Sequence, residues 1–230
     1  MGIGSTVGKK FAPKITDLAP QYTHGFIREA LKRAIEGIGP LDSAAEAASN
    51  KLAKAGGNVD EAVDKTILRH VEYAGAQGFA TNIGGLVTAA ATIPVNITGL
   101  ALIQVRMVAV IASLRGHDLA DPKVQTAVLL CLLGESDVKR VIKEGRIPAP
   151  PMAIATAPAH DPQLDTTISG VVAAELLSAV AGKRMATTVG RRVPVLGGAV
   201  GMSADAWSTW RIGRYAAKEL LARPQLNKKR

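Results

Sequence analysis

Apolar residues recur along this chain at the three- and four-residue spacing of helices, and no segment alternates convincingly with the period of two that a half-buried strand shows. After a loose basic lead-in, an amphipathic helix is predicted over Tyr22–Ile35, stopped at Gly37-Ile38-Gly39-Pro40. Asp42-Ser43 caps a helix to Lys54 that ends at Gly56-Gly57. Asn58 caps the next, with Asp60, Glu61 and Asp64 where the helix dipole favours acids, and Val63, Ile67, Val71 and Ala74 form its buried face. A further helix is expected over Thr81–Ile93, broken before Pro94, which starts another that continues to Leu114. Asp121-Pro122 opens a helix to Leu133, and Ser136 a short one to Glu144. Pro148, Pro150, Pro151, Pro158 and Pro162 make Arg146–Gln163 a linker or surface loop. Helices follow over Asp165–Lys183 and Gly198–Ala222, with a turn through Met185–Pro194.

The expected fold is therefore all-α: a compact multi-helix domain with an apolar central helix pair and a long basic C-terminal helix. The parts are a lead-in at 1–20, an N-terminal helical part at 21–145, the Pro-rich segment at 146–164, a C-terminal helical part at 165–222 and a basic tail at 223–230. The two helical parts are expected to pack as a single domain.

Charge sharpens this pattern. From Ala74 to Val105 no Asp, Glu, Lys, Arg or His occurs; then comes Arg106, then apolar residues to Leu114, with Ser113 the exception. A helix apolar all round is buried centrally or lies in lipid. Arg106 in such a place needs a partner, because an unpaired buried guanidinium costs several kcal/mol. Glu175 and Asp205, each flanked by small or apolar neighbours at helical spacing, are the acids expected to meet it.

The net charge of +9 is unevenly placed. From Lys183 onward eleven Lys and Arg face only Asp205 and Glu219, which leaves 17 residues of each sign elsewhere from totals of 28 and 19. This part suits an anionic surface. Lys183, Arg184, Arg191, Arg192, Arg211, Arg214 and Lys218 are the candidate contacts. Trp207 with Arg211, and Trp210 with Arg214, are i,i+4 pairs suited to cation–π contact or to a membrane interface; core packing of the indoles is the alternative. Aromatics are only 3%, a poor match for modules that stack bases, so nucleic acid fits less well than phospholipid.

Catalytic patterns are thin. His24, His70, His117 and His160 show no paired-ligand spacing, so no metal is expected; His117 and Asp118 stand near Asp121, which already has a capping role. There is no phosphate-cradling Gly-rich loop, no nucleophile elbow and no Cys-x-x-Cys, so no cofactor is expected and no catalytic residue is assigned. Cys131 is alone in an apolar run, as a small buried thiol would be. No signal peptide is read at the start.

Several stretches together resemble the bacterial EcsC family: Ala76-Gln77-Gly78-Phe79-Ala80-Thr81, Ile93-Pro94-Val95-Asn96, Gln104-Val105-Arg106-Met107, Leu114-Arg115-Gly116-His117-Asp118-Leu119, and Val193-Pro194-Val195-Leu196-Gly197-Gly198 continuing to Arg211-Ile212-Gly213-Arg214. The resemblance spans roughly Ile35 to Ala217. It implies an α-helical, membrane-associated bacterial protein and brings no reaction with it. Asn96, Gln104, Arg106, Asp118, Asp121 and Asp205 match its pattern.

Asn96, Gln104, Arg106, Glu175 and Asp205 are accordingly the candidates for a buried polar site or ligand pocket. The leading expectation is a cytoplasmic protein at the inner face of the membrane, associating with an anionic membrane surface or an apolar, lipid-like ligand. The alternatives are an integral hairpin through Ile83–Ile103, an enzyme with a buried Arg/acid pocket, and a scaffold that binds a protein partner or a second copy.

Overall fold

In the computed structural model, residue 25 and residues 27–37, 42–83, 93–190 and 194–221 are described. They form α1 (27–36), α2 (Ala44–Lys54), α3 (Val59–Ile83), α4 (Ile93–Leu114), α5 (Pro122–Cys131), α6 (Gly134–Lys143), α7 (Pro151–Ala155), α8 (Pro162–Gly190) and α9 (Pro194–Glu219). No strand occurs among the described residues, and the all-α expectation holds.

Local chemistry sets several boundaries where the pattern places them. Ser43 and Glu46 form a capping box: Ser43 Oγ accepts from Glu46 N at 3.2 Å, and Ser43 N donates to Glu46 Oε2 at 2.9 Å. Those bonds from Ser43 hold the Glu46 carboxyl below its ordinary range. Asn58 Oδ1 accepts from Glu61 N at 3.1 Å at the start of α3. Asp121 Oδ1 accepts from Lys123 N at 2.9 Å, with Pro122 at the first position of α5. Between α2 and α3 the chain turns through Gly56 and Gly57 at φ 60° and 86°, and Gly57 N returns to Leu52 O at 2.9 Å.

Packing is organised around α4, which touches α2, α3, α5 and α9. Val105 and every residue from Met107 to Ala112 are fully buried. Around them lie Val63 and Ile67 of α3, Ala127–Leu130 of α5, Ile168 and Val172 of α8, and Ile212, Ala216 and Leu220 of α9 or just beyond it. Among the described residues the most extensive packing runs between α3 and α9. It is close because Gly213 has no side chain: a Cβ there would lie 2.9 Å from Ile67 Cγ1 and 3.1 Å from Met107 Sδ.

Three segments differ from expectation. α3 does not break before Thr81 but continues through Gly75 and Gly78 to Ile83. Each glycine costs a helix only ~1 kcal/mol, too little by itself to end one. The expected helix Thr81–Ile93 is thus not separate at its start, and its residues 84–92 lie outside the described residues; the expected central pair is represented only by α4. α8 runs through Lys183 and Met185 to Gly190 without the expected turn, and α9 starts at Pro194, whose fixed φ suits a first helical position. The Pro-rich segment is packed rather than free: Ile147, Pro151, Ile154 and Ala155 are buried, and α7 lies on α5. Its apolar residues interrupt the prolines often enough to dock it. Among the described residues, no helix is long and apolar enough to cross a membrane.

Two glycines should respond in opposite directions. Gly213→Ala should destabilise the fold by ~1–3 kcal/mol, since buried Ile67 and Met107 have to shift. Gly170→Ala, with nothing within 4 Å of the new methyl, should be neutral or stabilise by up to ~1 kcal/mol. Urea unfolding of both variants checks this, and equal effects would contradict it.

Candidate functional site

Of the residues expected in one pocket, Arg106, Gln104 and Glu175 each bond to different partners. Arg106 donates through Nη1 to Ala34 O at 3.2 Å and through Nη2 to Asp42 O at 2.5 Å. It closes the end of α1, where helix carbonyls lack intrahelical donors, and ties it to the approach to α2. Burial lowers its pKa while the charge of Asp42 works the other way. Gln104, two residues earlier and so about 200° around the helix, faces α9 instead. Its Nε2 donates to Thr209 Oγ1 at 3.1 Å and lies 3.4 Å from Ser208 Oγ.

Neither Glu175 nor Asp205 bonds to Arg106 among the described residues, and the expected pairing is corrected. The guanidinium is satisfied by backbone carbonyls and needs no acid. Glu175 joins α8 to the α6 region, accepting from Arg140 Nη2 at 2.6 Å and from Arg146. Burial works to raise its carboxyl, but the two guanidiniums hold it below the ordinary range. Asp205 is half buried on α9. The side chain of Asn96 lies outside the described residues.

A polar cluster that the sequence reading did not single out joins three distant segments. Arg28 of α1 donates to Asp165 and, through Nε, to Ser169 Oγ at 2.9 Å, both on α8. Its Nη2 lies 3.3 Å from Thr126 Oγ1 of α5, and Thr126 donates to Asp165 as well. His160 Nε2 stands 3.9 Å from Asp165 Oδ2, and Lys123 donates to Ala157 O at 2.8 Å. The adjoining cleft is only about 30 Å³, room for a water and not for a substrate. The cluster is a clasp holding α1 on α5 and α8. Its one sequence signal was a cation, Arg28, beside the buried stripe Ile27, Ala30, Leu31 and Ala34.

His70 and His117 have structural partners. His70 is buried, and its Nδ1 donates to Thr66 O at 2.8 Å. Burial pushes its pKa down to about 4, with Lys51 and Arg106 adding repulsion. His117 Nε2 donates to Leu221 O at 3.0 Å, tethering the chain just past α9. Burial raises the Cys131 thiol well above its ordinary value. Among the described residues, no group of three or more His, Cys, Asp and Glu is placed to hold a metal.

The unusual surface is the outer face of α9. Its inner face, Thr209, Ile212, Gly213, Tyr215 and Ala216, is buried, whereas Trp207 and Trp210 are 59% and 39% exposed. The indoles stack on each other, centroids 5.1 Å apart and planes within 16°. The arginines beside them reach neighbouring helices: Arg211 donates to Ser136 Oγ of α6 at 3.2 Å, and Arg214 pairs with Asp64 of α3 at 2.7 Å. Lys218 reaches Glu135 of α6 at 3.0 Å. The carboxyl of Glu135, held by Lys139 and Lys218, is lowered to about 2. An open cleft of about 440 Å³ lies between α6 and α9, lined by Glu135, Trp210, Arg211, Arg214, Tyr215 and Lys218. Of the other expected basic contacts, Lys183 and Arg184 lie on α8 with side chains outside the described residues, and Arg191 and Arg192 lie outside them altogether.

The sequence pattern of the EcsC protein family matches residues 3–223, nearly the whole chain. The chain belongs to the EcsC protein family. The match extends beyond the stretches that carry the resemblance, taking in the clasp residues Arg28, Thr126 and Asp165 of this EcsC-family chain. No curated protein and no solved structure matches it.

Two measurements probe these sites. Arg28→Ala should lose about 2 kcal/mol in urea unfolding, since it strands a largely buried Asp165; an unchanged midpoint would contradict the clasp. His70 binds its proton more weakly folded than unfolded, so its contribution falls as pH drops from about 6.5 to about 4 and is level below that. Its full extent is ~3 kcal/mol. Comparing unfolding of the wild type and His70→Gln across that window isolates it; parallel pH curves would refute it.

Proposed function

We propose that this EcsC-family protein docks peripherally on an anionic membrane surface through the outer face of α9. The observation that carries the reading is the exposed, stacked Trp207–Trp210 pair on the same face as Arg211, Arg214 and Lys218. Tryptophan favours the headgroup level, where an apolar ring and a polar N–H are both accommodated. The whole excess of positive charge lies from Lys183 onward, in the part of the chain that contains this helix. The pairs Arg214–Asp64 and Lys218–Glu135 are exposed, worth ~0–1 kcal/mol each, so lipid phosphates exchange for them at little cost. Such association needs no membrane-crossing helix.

A partner protein is the second reading. It is favoured by Leu68, which is 58% exposed. Leu68 lies one turn beyond Asp64, the residue of α3 that pairs with Arg214 of α9.

Co-sedimentation with phosphatidylcholine vesicles, with and without phosphatidylglycerol, tests the membrane reading. The protein should pellet with the anionic vesicles at low salt and be released by added salt. Neutralising Arg211, Arg214 or Lys218 should weaken binding about fivefold each, following ~1 kcal/mol per cation. Trp207→Ser with Trp210→Ser should weaken it at every salt concentration. No pelleting at low salt, or double-variant binding equal to the wild type, would overturn it.

A further inference from the structure

Resting on the membrane reading, we infer that the cleft between α6 and α9 is a headgroup site for a phosphate ester, occupied by the phosphate of an anionic phospholipid. A stripe of Lys and Arg would attract any anion; this arrangement is more selective. Arg211, Arg214 and Lys218 face one cleft of about 440 Å³, against Glu135 as its one acid, so the lining carries two net positive charges. Glu135 is already occupied by Lys139 and Lys218, at 2.7 and 3.0 Å, and offers little repulsion to an incoming anion.

Phosphate is the anion that fits best. The Arg211 guanidinium presents paired N–H donors whose fork matches two oxygens of a phosphate, and Arg214, one turn on, lines the same cleft while pairing with Asp64 of α3 at 2.7 Å. The present partner of Arg211 is a neutral hydroxyl, Ser136 Oγ, at 3.2 Å, so replacement by an anion leaves no acid stranded. Ser136 stands in the first turn of α6, the positive end of that helix, and the Leu133 cap supplies no side-chain oxygen there. Trp210 and Tyr215 wall the cleft. Trp210 stacks on Trp207, so a headgroup bound beside it sits next to the rings that would enter the interface. The arrangement couples recognition of one lipid phosphate to insertion of the tryptophan pair.

The test uses the full-length protein and its own tryptophan fluorescence, with glycerol 3-phosphate as the probe. A saturable change is expected, competed by inorganic phosphate and absent with acetate at matched ionic strength. Arg211→Gln should weaken the response at least tenfold, and Arg211→Lys, which keeps the charge and loses the fork, should restore it only in part. Vesicle binding by the wild type without any saturable response to glycerol 3-phosphate would overturn the headgroup site and leave surface docking standing. A saturable, Arg211-dependent response without vesicle binding would retain the phosphate site, assign it to a free phosphate ester and remove the membrane. Equal responses to acetate and phosphate would reduce the cleft to a nonspecific basic patch and overturn the inference.

Discussion

The segment Val105–Ala112 of α4 is enclosed by helices on all sides, with Arg106 half buried at its edge. Burying so many apolar side chains is the largest favourable term available to a chain with few aromatics, at roughly 25 cal/mol per Å² of apolar surface. It also imposes a constraint. Each polar group on α4 must find a partner on whichever helix covers it. Gln104 meets that demand with hydroxyls of α9, and Arg106 with carbonyls at the end of α1 and before α2. The two side chains therefore fasten opposite sides of the molecule to the same central rod.

Small residues make that rod accessible. Gly213 lets α9 approach both Ile67 and Met107, so α3, α4 and α9 meet where a larger residue would hold them apart. The close fit fixes the rotation of α9 about its own axis. Once Ile212, Gly213 and Ala216 are turned inward, Trp207 and Trp210 have no core to enter, and Arg211, Arg214 and Lys218 take the rim. The candidate binding face is thus a consequence of how the core closes. The clasp around Asp165 brings α1 onto α5 and α8 through a shared carboxylate.

Features governed by neighbours in the chain were legible beforehand. The caps at Ser43, Asn58 and Asp121 act within three residues, and the structure shows their bonds where the pattern puts them. The buried face of α3 and the enclosed stretch of α4 follow from helical spacing. The breaks expected near Thr81 and through Met185 did not occur, since glycine and threonine lower helix propensity by only ~1 kcal/mol or less each and do not by themselves end a helix. Glu175 was expected to meet Arg106, but its cations are Arg140 and Arg146 from the α6 region, which spacing along one helix cannot reveal.

By itself, the sequence determined the all-α class, the family, the caps and the concentration of positive charge toward the C-terminus. All of these depend on residue identity and short spacing. Only the tertiary structure decided the partners of Arg106, the clasp at Asp165, the packing of the Pro-rich segment and the exposure of the tryptophans. Spacing tells which residues share a face of one helix. Which other helix covers that face, and at what rotation, depends on side chains that meet only when distant segments pack.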